Sequence, residues 1–274
     1  MPKQQRLAGS NFSYFCFPLN DFLEVQKRLG FETIELFGGS PQLWIDAYEH
    51  EDGKKIQKKI KEAGLVCPVL TPETAAFQYP LWTEDEDWRV HAISYWKQAI
   101  AVAAEIGCRI VCVTVTGGFL DQNMEKQLEN CCECLKVLVK EAHLHRIQLA
   151  LEAAPLKYGE LVKDLKTVGW MIQNVPGLYA ALDTAVMIQA KETVDDWVQA
   201  LGDRIIHVHL ADSCDGTYQV WGEGRLNPKE IVEKLEKAGY KGIYSLKLDE
   251  YDYYDEPALF DERNRNGLLE GLGR

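Results

Sequence analysis

The sequence predicts a (β/α)8 barrel, on three observations. A helix-like stretch repeatedly stops at a glycine and a short apolar run follows: KRLGFETIELF, KEAGLVCPVL, AEIGCRIVCVTV, QALGDRIIHVHL and EKAGYKGIYSL. With LAGSNFSYF, IQLALE and LYAALD added, the strand-like runs number eight in about 250 residues, which suits a closed parallel sheet. Three of these runs end in a potential metal ligand: Glu152 in IQLALEAAP, Asp183 in LYAALDTA and His209 in RIIHVHLAD. In such a barrel the strand ends converge on one face.

The elements follow in order. A first strand near LAGSNFSYF leads to the amphipathic LNDFLEVQKRL, capped by Gly30, and then to a strand through TIELF. GKKIQKKIKEA runs to Gly64 and LVCPVL follows; DWRVHAISYWKQAIAVAAEI runs to Gly107 and RIVCVTV follows. A long helical pattern carrying Cys131, Cys132 and Cys134 precedes IQLALE, and LYAALD comes next. A helix ending at Gly202 precedes RIIHVHL; Asn227-Pro228 opens NPKEIVEKLEKA, which stops at Gly239 before IYSL. EPALFDERNRNGLLEGLGR supplies the eighth helix, with Asn266-Gly267 suggesting an interruption. An open doubly wound sheet is the competitor, weakened because no GxGxxG follows the first strand and because ligands sit on strands five, six and seven. No linker is evident, and residues 1–274 are read as one domain.

Composition narrows the function classes. A net charge of −12 argues against a nucleic-acid phosphate binder and offers no basic stripe to an anionic membrane. The eight cysteines form no paired CxxC framework and are read as free thiols. MPKQQRLAGSNFSYF lacks a long apolar run and no later segment reaches spanning length, so a reducing cytoplasm is expected.

Side chains two apart on a strand face the same way, so Gln148, Ala150 and Glu152 share one face and His207 and His209 another. His207, deeper, reads more as a core histidine on a backbone carbonyl than as a metal ligand, and is counted with the substrate-binding residues; His209 reads as a ligand. Asp183 also stands where it would cap the next helix, and Glu152 suits a dual role as ligand and proton-transferring base. An oxygen, oxygen, nitrogen set suits a divalent ion, Mn²⁺ first, with Co²⁺, Zn²⁺ or Mg²⁺ as alternatives.

The order Glu152, Asp183, HVH at 207–209, then WGEGRLNPKEIVEKLEKAGYKGIYSL resembles the xylose isomerase-like TIM barrel superfamily of sugar isomerases and epimerases. Within it, GFETIELFGGSPQLW and LTPETAAFQYP are similar to the fructoselysine 3-epimerase and D-tagatose 3-epimerase branch. The resemblance implies a small sugar substrate, no nucleic acid and no membrane, and a homodimer or homotetramer. It also implies a divalent metal held by Glu, Asp, His and a second Glu, with the two glutamates moving a proton on opposite faces of a ketose through a metal-stabilised enediolate. Carried over, Glu152, Asp183 and His209 are the ligands, while the second Glu falls on Lys247. Near the substrate the resemblance places Glu35 and Glu73. Trp44 and Phe77 belong to an aromatic set, with Phe37, Tyr79 and Trp82, that could stack on a sugar. Asp212 could bind a hydroxyl, and Arg225 in WGEGR a phosphosugar.

Lys247 leaves three routes. Asp249, two residues on, could be a fourth ligand; water could complete a three-ligand site while a neutralised Lys247 carries protons; or the ammonium could itself stabilise an enediolate. The second is preferred, which makes Glu152 and Lys247 the catalytic pair. The alternatives are a C-glycoside deglycosidase-type catalytic subunit, which would need a small partner subunit, and a non-catalytic sugar-binding protein. An endonuclease IV type nuclease is disfavoured by six histidines and an acidic chain.

Overall fold

The structure, a computed structural model, describes residues 6–76 and 79–273. In chain order the elements are β1 (Leu7–Ser10), α1 (Leu19–Arg28), β2 (Thr33–Gly38), α2 (Gly53–Glu62), β3 (Val66–Pro72), α3 (Glu86–Ile106), β4 (Ile110–Thr114) and α4 (Met124–Leu144). There follow β5 (Gln148–Glu152), α5 (Leu165–Asn174), β6 (Tyr179–Asp183), α6 (Thr184–Gln189), α7 (Val194–Leu201), β7 (Ile205–Leu210), α8 (Pro228–Lys237), β8 (Ile243–Leu246) and α9 (Pro257–Gly271). The strands form a closed barrel in sequence order, every neighbour parallel, and β8 closes on β1 through Leu7↔Tyr244 and Ala8↔Ser245.

The apolar runs become strands because both faces are covered, which favours continuous hydrophobic sequence over alternation. Val111, Val113, Leu149, Leu151 and Leu182 face outward into one large core with helix residues such as Phe22, Ile56, Ile100 and Leu138. Val69, Cys112, Ala150 and Ala181 form a separate cluster of small inward residues. Their size leaves room inside the barrel for the larger inward side chains of Glu35 and His207.

Helix ends follow the sequence signals. Asp52, Asp85 and Asn123 accept backbone hydrogen bonds at the starts of α2, α3 and α4, and Asp164 and Thr193 build capping boxes at α5 and α7. At Gly107 the chain turns left-handed, φ 99°, to end α3 and enter β4. Asn227 caps α8 with Pro228 in its first turn.

Two features differ from the sequence reading. The segment between β6 and β7 holds two short helices, α6 and α7, because TAVMIQ is too short to show a helical period. The C-terminal helix α9 runs unbroken through Asn266-Gly267. Gly267 serves packing there: a Cβ would lie 2.0 Å from the carbonyl oxygen of Trp221.

Candidate active site

The register fixes which side chains meet at the C-terminal end of the barrel. Thr114 pairs with Glu152, Asp183 with His209, and His209 with Ser245, so carboxylates and imidazole arrive at one level. Lys247 enters one residue beyond β8, its backbone N–H bonded to the Leu210 carbonyl. Glu152, Asp183, His209 and Lys247 are all buried, none more than 3% exposed.

These groups form a chain of alternating charge. Glu35 Oε1 lies 2.8 Å from His209 Nε2, and His209 Nδ1 meets Glu152 Oε1. Glu152 Oε2 accepts from Lys247 Nζ at 3.1 Å and from Thr114 Oγ1 at 3.3 Å. Nζ also donates to Asp183 Oδ2 at 2.9 Å, and the Tyr218 hydroxyl donates to the same oxygen at 2.8 Å. Asp183 Oδ1 accepts from the amides of Ala185 and Val186, so one carboxylate both caps α6 and holds the lysine. The rings of Phe12 and Tyr218 flank Nζ at 5.0 and 5.2 Å from their centroids.

Burial alone would raise the Glu152 carboxyl, but His209 and Lys247 outweigh it and hold the group at about 2. Burial pulls the His209 imidazole down, yet Glu152 and Glu35 push it up to about 10, which favours the ring protonated at both nitrogens. Burial likewise opposes charge on Lys247, and Asp183 and Glu152 overcome it and raise the ammonium well above its ordinary range. The two carboxylates that meet Lys247 favour its charged form, whereas the sequence reading prefers a lysine neutralised by burial.

One layer deeper, His207 Nε2 lies 2.8 Å from Glu35 Oε2, and burial lowers its imidazole into the neutral form. Its partner is thus a carboxylate, not a backbone carbonyl. Glu35 bridges the two histidines and also accepts from Thr71.

Above the charge chain opens a cavity of about 410 Å³ whose floor includes Glu152, Lys247 and Thr71 and whose walls include Phe12, Phe15, Tyr158 and Tyr254. Asp183 and His209 lie behind that floor. Glu73 lines the cavity, and its Oε1 accepts from the amides of Ala75 and Ala76 at 2.5 and 2.7 Å. Trp44 borders a smaller adjoining cavity with Glu73, Phe15 and Tyr79. Asp212 is turned into the loop after β7, where its carboxylate accepts from the amides of Ser213, Gly222, Gly224 and Leu226. Arg225 lies exposed on that loop, and Phe77 falls outside the described residues. Asp249 reaches the mouth, where Tyr158 and Tyr254 donate to its oxygens at 3.4 and 3.2 Å.

Tyr218, Phe12 and Tyr158 were not singled out from sequence. Phe12 and Tyr158 lie just past the ends of β1 and β5, and Tyr218 in the loop after β7, so the strand-end logic extended a few residues further would have reached them. The tyrosines of EYDYYDE, just past β8, carry the same signal.

A closed eight-stranded parallel barrel with acid, histidine and lysine at its C-terminal mouth defines a class, and the sequence agrees: the profile of the xylose isomerase-like TIM barrel family matches residues 23–265, and the chain belongs to that family. Among its relatives, fructoselysine 3-epimerase of Shigella flexneri is 25% identical over 251 residues, covering 89% of each chain. A solved L-ribulose 3-epimerase shares the fold at TM-score 0.80 and 17% identity, over 97% of this chain and 94% of that one. The IOLI protein, solved with a bound zinc atom, shares it at TM-score 0.77 and 15% identity, over 98% of each.

Whether this donor set suits a divalent ion is decided by its neighbours. Donor atoms of Glu152, Asp183 and His209 lie within 4.8 Å of one another, a spacing that could hold a metal ion. In the observed arrangement, however, both His209 nitrogens face carboxylates, and the Lys247 ammonium engages the oxygens of both Glu152 and Asp183. A ligating histidine needs a free lone pair and a divalent ion is repelled by an adjacent ammonium, so the residues as arranged do not fit the ion.

Proposed function

We propose that this protein is a sugar isomerase or epimerase that moves a proton on the carbon next to the carbonyl of a ketose or ketose conjugate. The observation that carries the reading is the Glu152–Lys247 pair on the floor of an aromatic-walled cavity, in a chain whose relatives include sugar 3-epimerases. The rings of Phe12, Phe15 and Tyr254 offer stacking surfaces for a sugar face or an extended aglycone.

In this mechanism Glu152 takes the proton and the C–H electron pair moves into the enediolate, whose developing oxygen charge faces the Lys247 ammonium. Glu152 held at about 2 is a weak base. A carbonyl oxygen that accepts the Lys247 hydrogen bond draws Nζ off Oε2, and the carboxylate regains basicity as the substrate seats. Return of the proton by Glu152 to the adjacent carbon, with the hydroxyl proton of that carbon passing to the former carbonyl oxygen, gives aldose–ketose isomerisation. Epimerisation takes a proton from Lys247 at the other face of the same carbon, which requires the substrate to lie between Nζ and Glu152 once Nζ has left Oε2. The protonated Glu152 then returns its proton to the amine when product leaves. The metal-stabilised version expected from the resemblance is set aside because Lys247 supplies the cation. Eight free cysteines support a reducing, cytoplasmic setting, and among the described residues no helix is long and apolar enough to cross a membrane.

The test is deuterium incorporation from heavy water into a panel of ketoses, ketose phosphates and fructosamine conjugates, followed by NMR. Wild type incorporates label beside the carbonyl and Glu152→Gln does not; exchange at the wild-type rate in the variant removes Glu152 from the role. A second reading, a sugar-binding protein without catalysis, is favoured by one observation: both Glu152 oxygens are already paired. Binding by calorimetry with no exchange on any panel member would select it.

A further inference from the structure

We infer that Lys247 is the resident cation of this site: its ammonium, seated between Glu152 and Asp183, stands in place of a divalent ion, and the protein holds no metal at these carboxylates. The inference rests on the proposed reaction only for what the ammonium does to substrate.

Three independent features of the geometry carry it. The first is lone-pair use. Lys247 Nζ engages Glu152 Oε2 at 3.1 Å and Asp183 Oδ2 at 2.9 Å. Asp183 Oδ2 also accepts from Tyr218, and its Oδ1 accepts from two amides of α6. An ion coordinated by Glu152 and Asp183 would have to take oxygens that these donors already use, next to a cation.

The second is His209. Its Nδ1 is directed at Glu152 and its Nε2 at Glu35, so the ring is clamped by a carboxylate at each end and offers no outward nitrogen. The third is the wall around Nζ. Phe12 and Tyr218 present rings at 5.0 and 5.2 Å, a setting suited to an ammonium. A hydrated divalent ion retains water and would need polar groups there. The Lys247 side chain sets a cationic group between the carboxylates of Glu152 and Asp183 without any metal.

One consequence separates this arrangement from a metal site that merely tolerates a lysine. Replacing Lys247 by glutamate removes the cation and adds an oxygen ligand beside Glu152, Asp183 and His209, and freeing Glu152 from Lys247 lets His209 turn a nitrogen to an ion. That single change should create a metal site.

The experiment loads purified wild type, Lys247→Glu and Lys247→Gln with Mn²⁺ and, separately, Zn²⁺, desalts them, measures metal by elemental mass spectrometry, and records melting with and without ion. No sugar is present, so the outcome is independent of whether the proposed reaction is correct. Wild type is expected to retain essentially no ion and to melt at the same temperature with metal or chelator. Lys247→Glu is expected to retain about one ion per chain and to melt higher with it. If Lys247→Glu does not fold, Lys247→Gln, which removes only the charge, carries the comparison and is expected to gain ion over wild type. About one ion per wild-type chain, lost on Asp183→Asn, would overturn the inference. So would a folded Lys247→Glu that stays as empty as wild type, because something other than Lys247 would then exclude the ion.

Discussion

Lys247→Met, measured in chelator, isolates the worth of the buried cation. Methionine keeps most of the side-chain volume and removes the charge, leaving Glu152 Oε2 and Asp183 Oδ2 without their shared partner on residues 1% and 2% exposed. Removing one member of a buried ion pair typically costs about 3–5 kcal/mol. Thr114 and Tyr218 still donate to those two oxygens, which places the expected loss near the lower end, about 3 kcal/mol. For 274 residues an unfolding entropy of about 2.1 cal/mol/K per residue converts that into a drop of about 5 °C in melting temperature. The loss also depends on pH. Lys247 is one of the two groups that hold the Glu152 carboxyl at about 2, after His209, so the stability it lends through Glu152 is present above pH 4.5 and is lost as pH falls towards 2. Calorimetric melts at pH 7 and pH 3 should show the gap to wild type narrowing at the lower pH. A variant melting within about 1 °C of wild type at pH 7, or a gap that does not change with pH, would refute the view that a charged Lys247 neutralises two buried carboxylates.

Other outcomes follow from the same physics. His209 is raised from 6.5 to about 10 on folding, so its stabilisation is present below pH 6.5 and lost towards pH 10; urea unfolding across that range should show wild-type stability declining, and a flat profile would remove the imidazolium clamp. Asp261, buried beneath Tyr14 and Gln26, is raised by burial from 3.8 to about 7. Wild type should therefore lose stability relative to Asp261→Asn between pH 4 and pH 8 by about 4 kcal/mol, at 1.36 kcal/mol per unit; parallel profiles in chemical denaturation would contradict it. Gly267→Ala should destabilise by several °C although alanine favours a helix by about 1 kcal/mol, because its Cβ would collide with the Trp221 carbonyl; a melting point at or above wild type would show that the backbone yields.

The barrel was legible because its signals are local. A glycine that ends a helix and a short apolar run that follows are written side by side, so the strand order could be counted along the chain. The convergence of Glu152, Asp183 and His209 followed from topology alone, since strand ends in a closed parallel sheet share one rim. What escaped depended on contacts between distant residues. Alternation placed Asp249 on the same side as Lys247, yet β8 ends at Leu246 and the rule lapses beyond it. The charge on Lys247 could not be read from desolvation alone, because two carboxylates from β5 and β6 decide it. Asp212 looked like a hydroxyl ligand, and its four amide partners come from a loop up to fourteen residues away. Asn266-Gly267 read as a break because local propensity says nothing about Trp221 packing against α9.

Asp183 links the site to the scaffold mechanically. Its two oxygens share one rigid plane, with Oδ1 on the amides of Ala185 and Val186 and Oδ2 on Lys247 and Tyr218. Rotation that improves one set of bonds worsens the other. The helix it starts, Thr184–Gln189, is too short to persist unaided. A ligand that pulls on Oδ2 should therefore loosen the first turn of α6, so that amide exchange at Ala185 and Val186 acts as a built-in strain gauge for events at the barrel mouth.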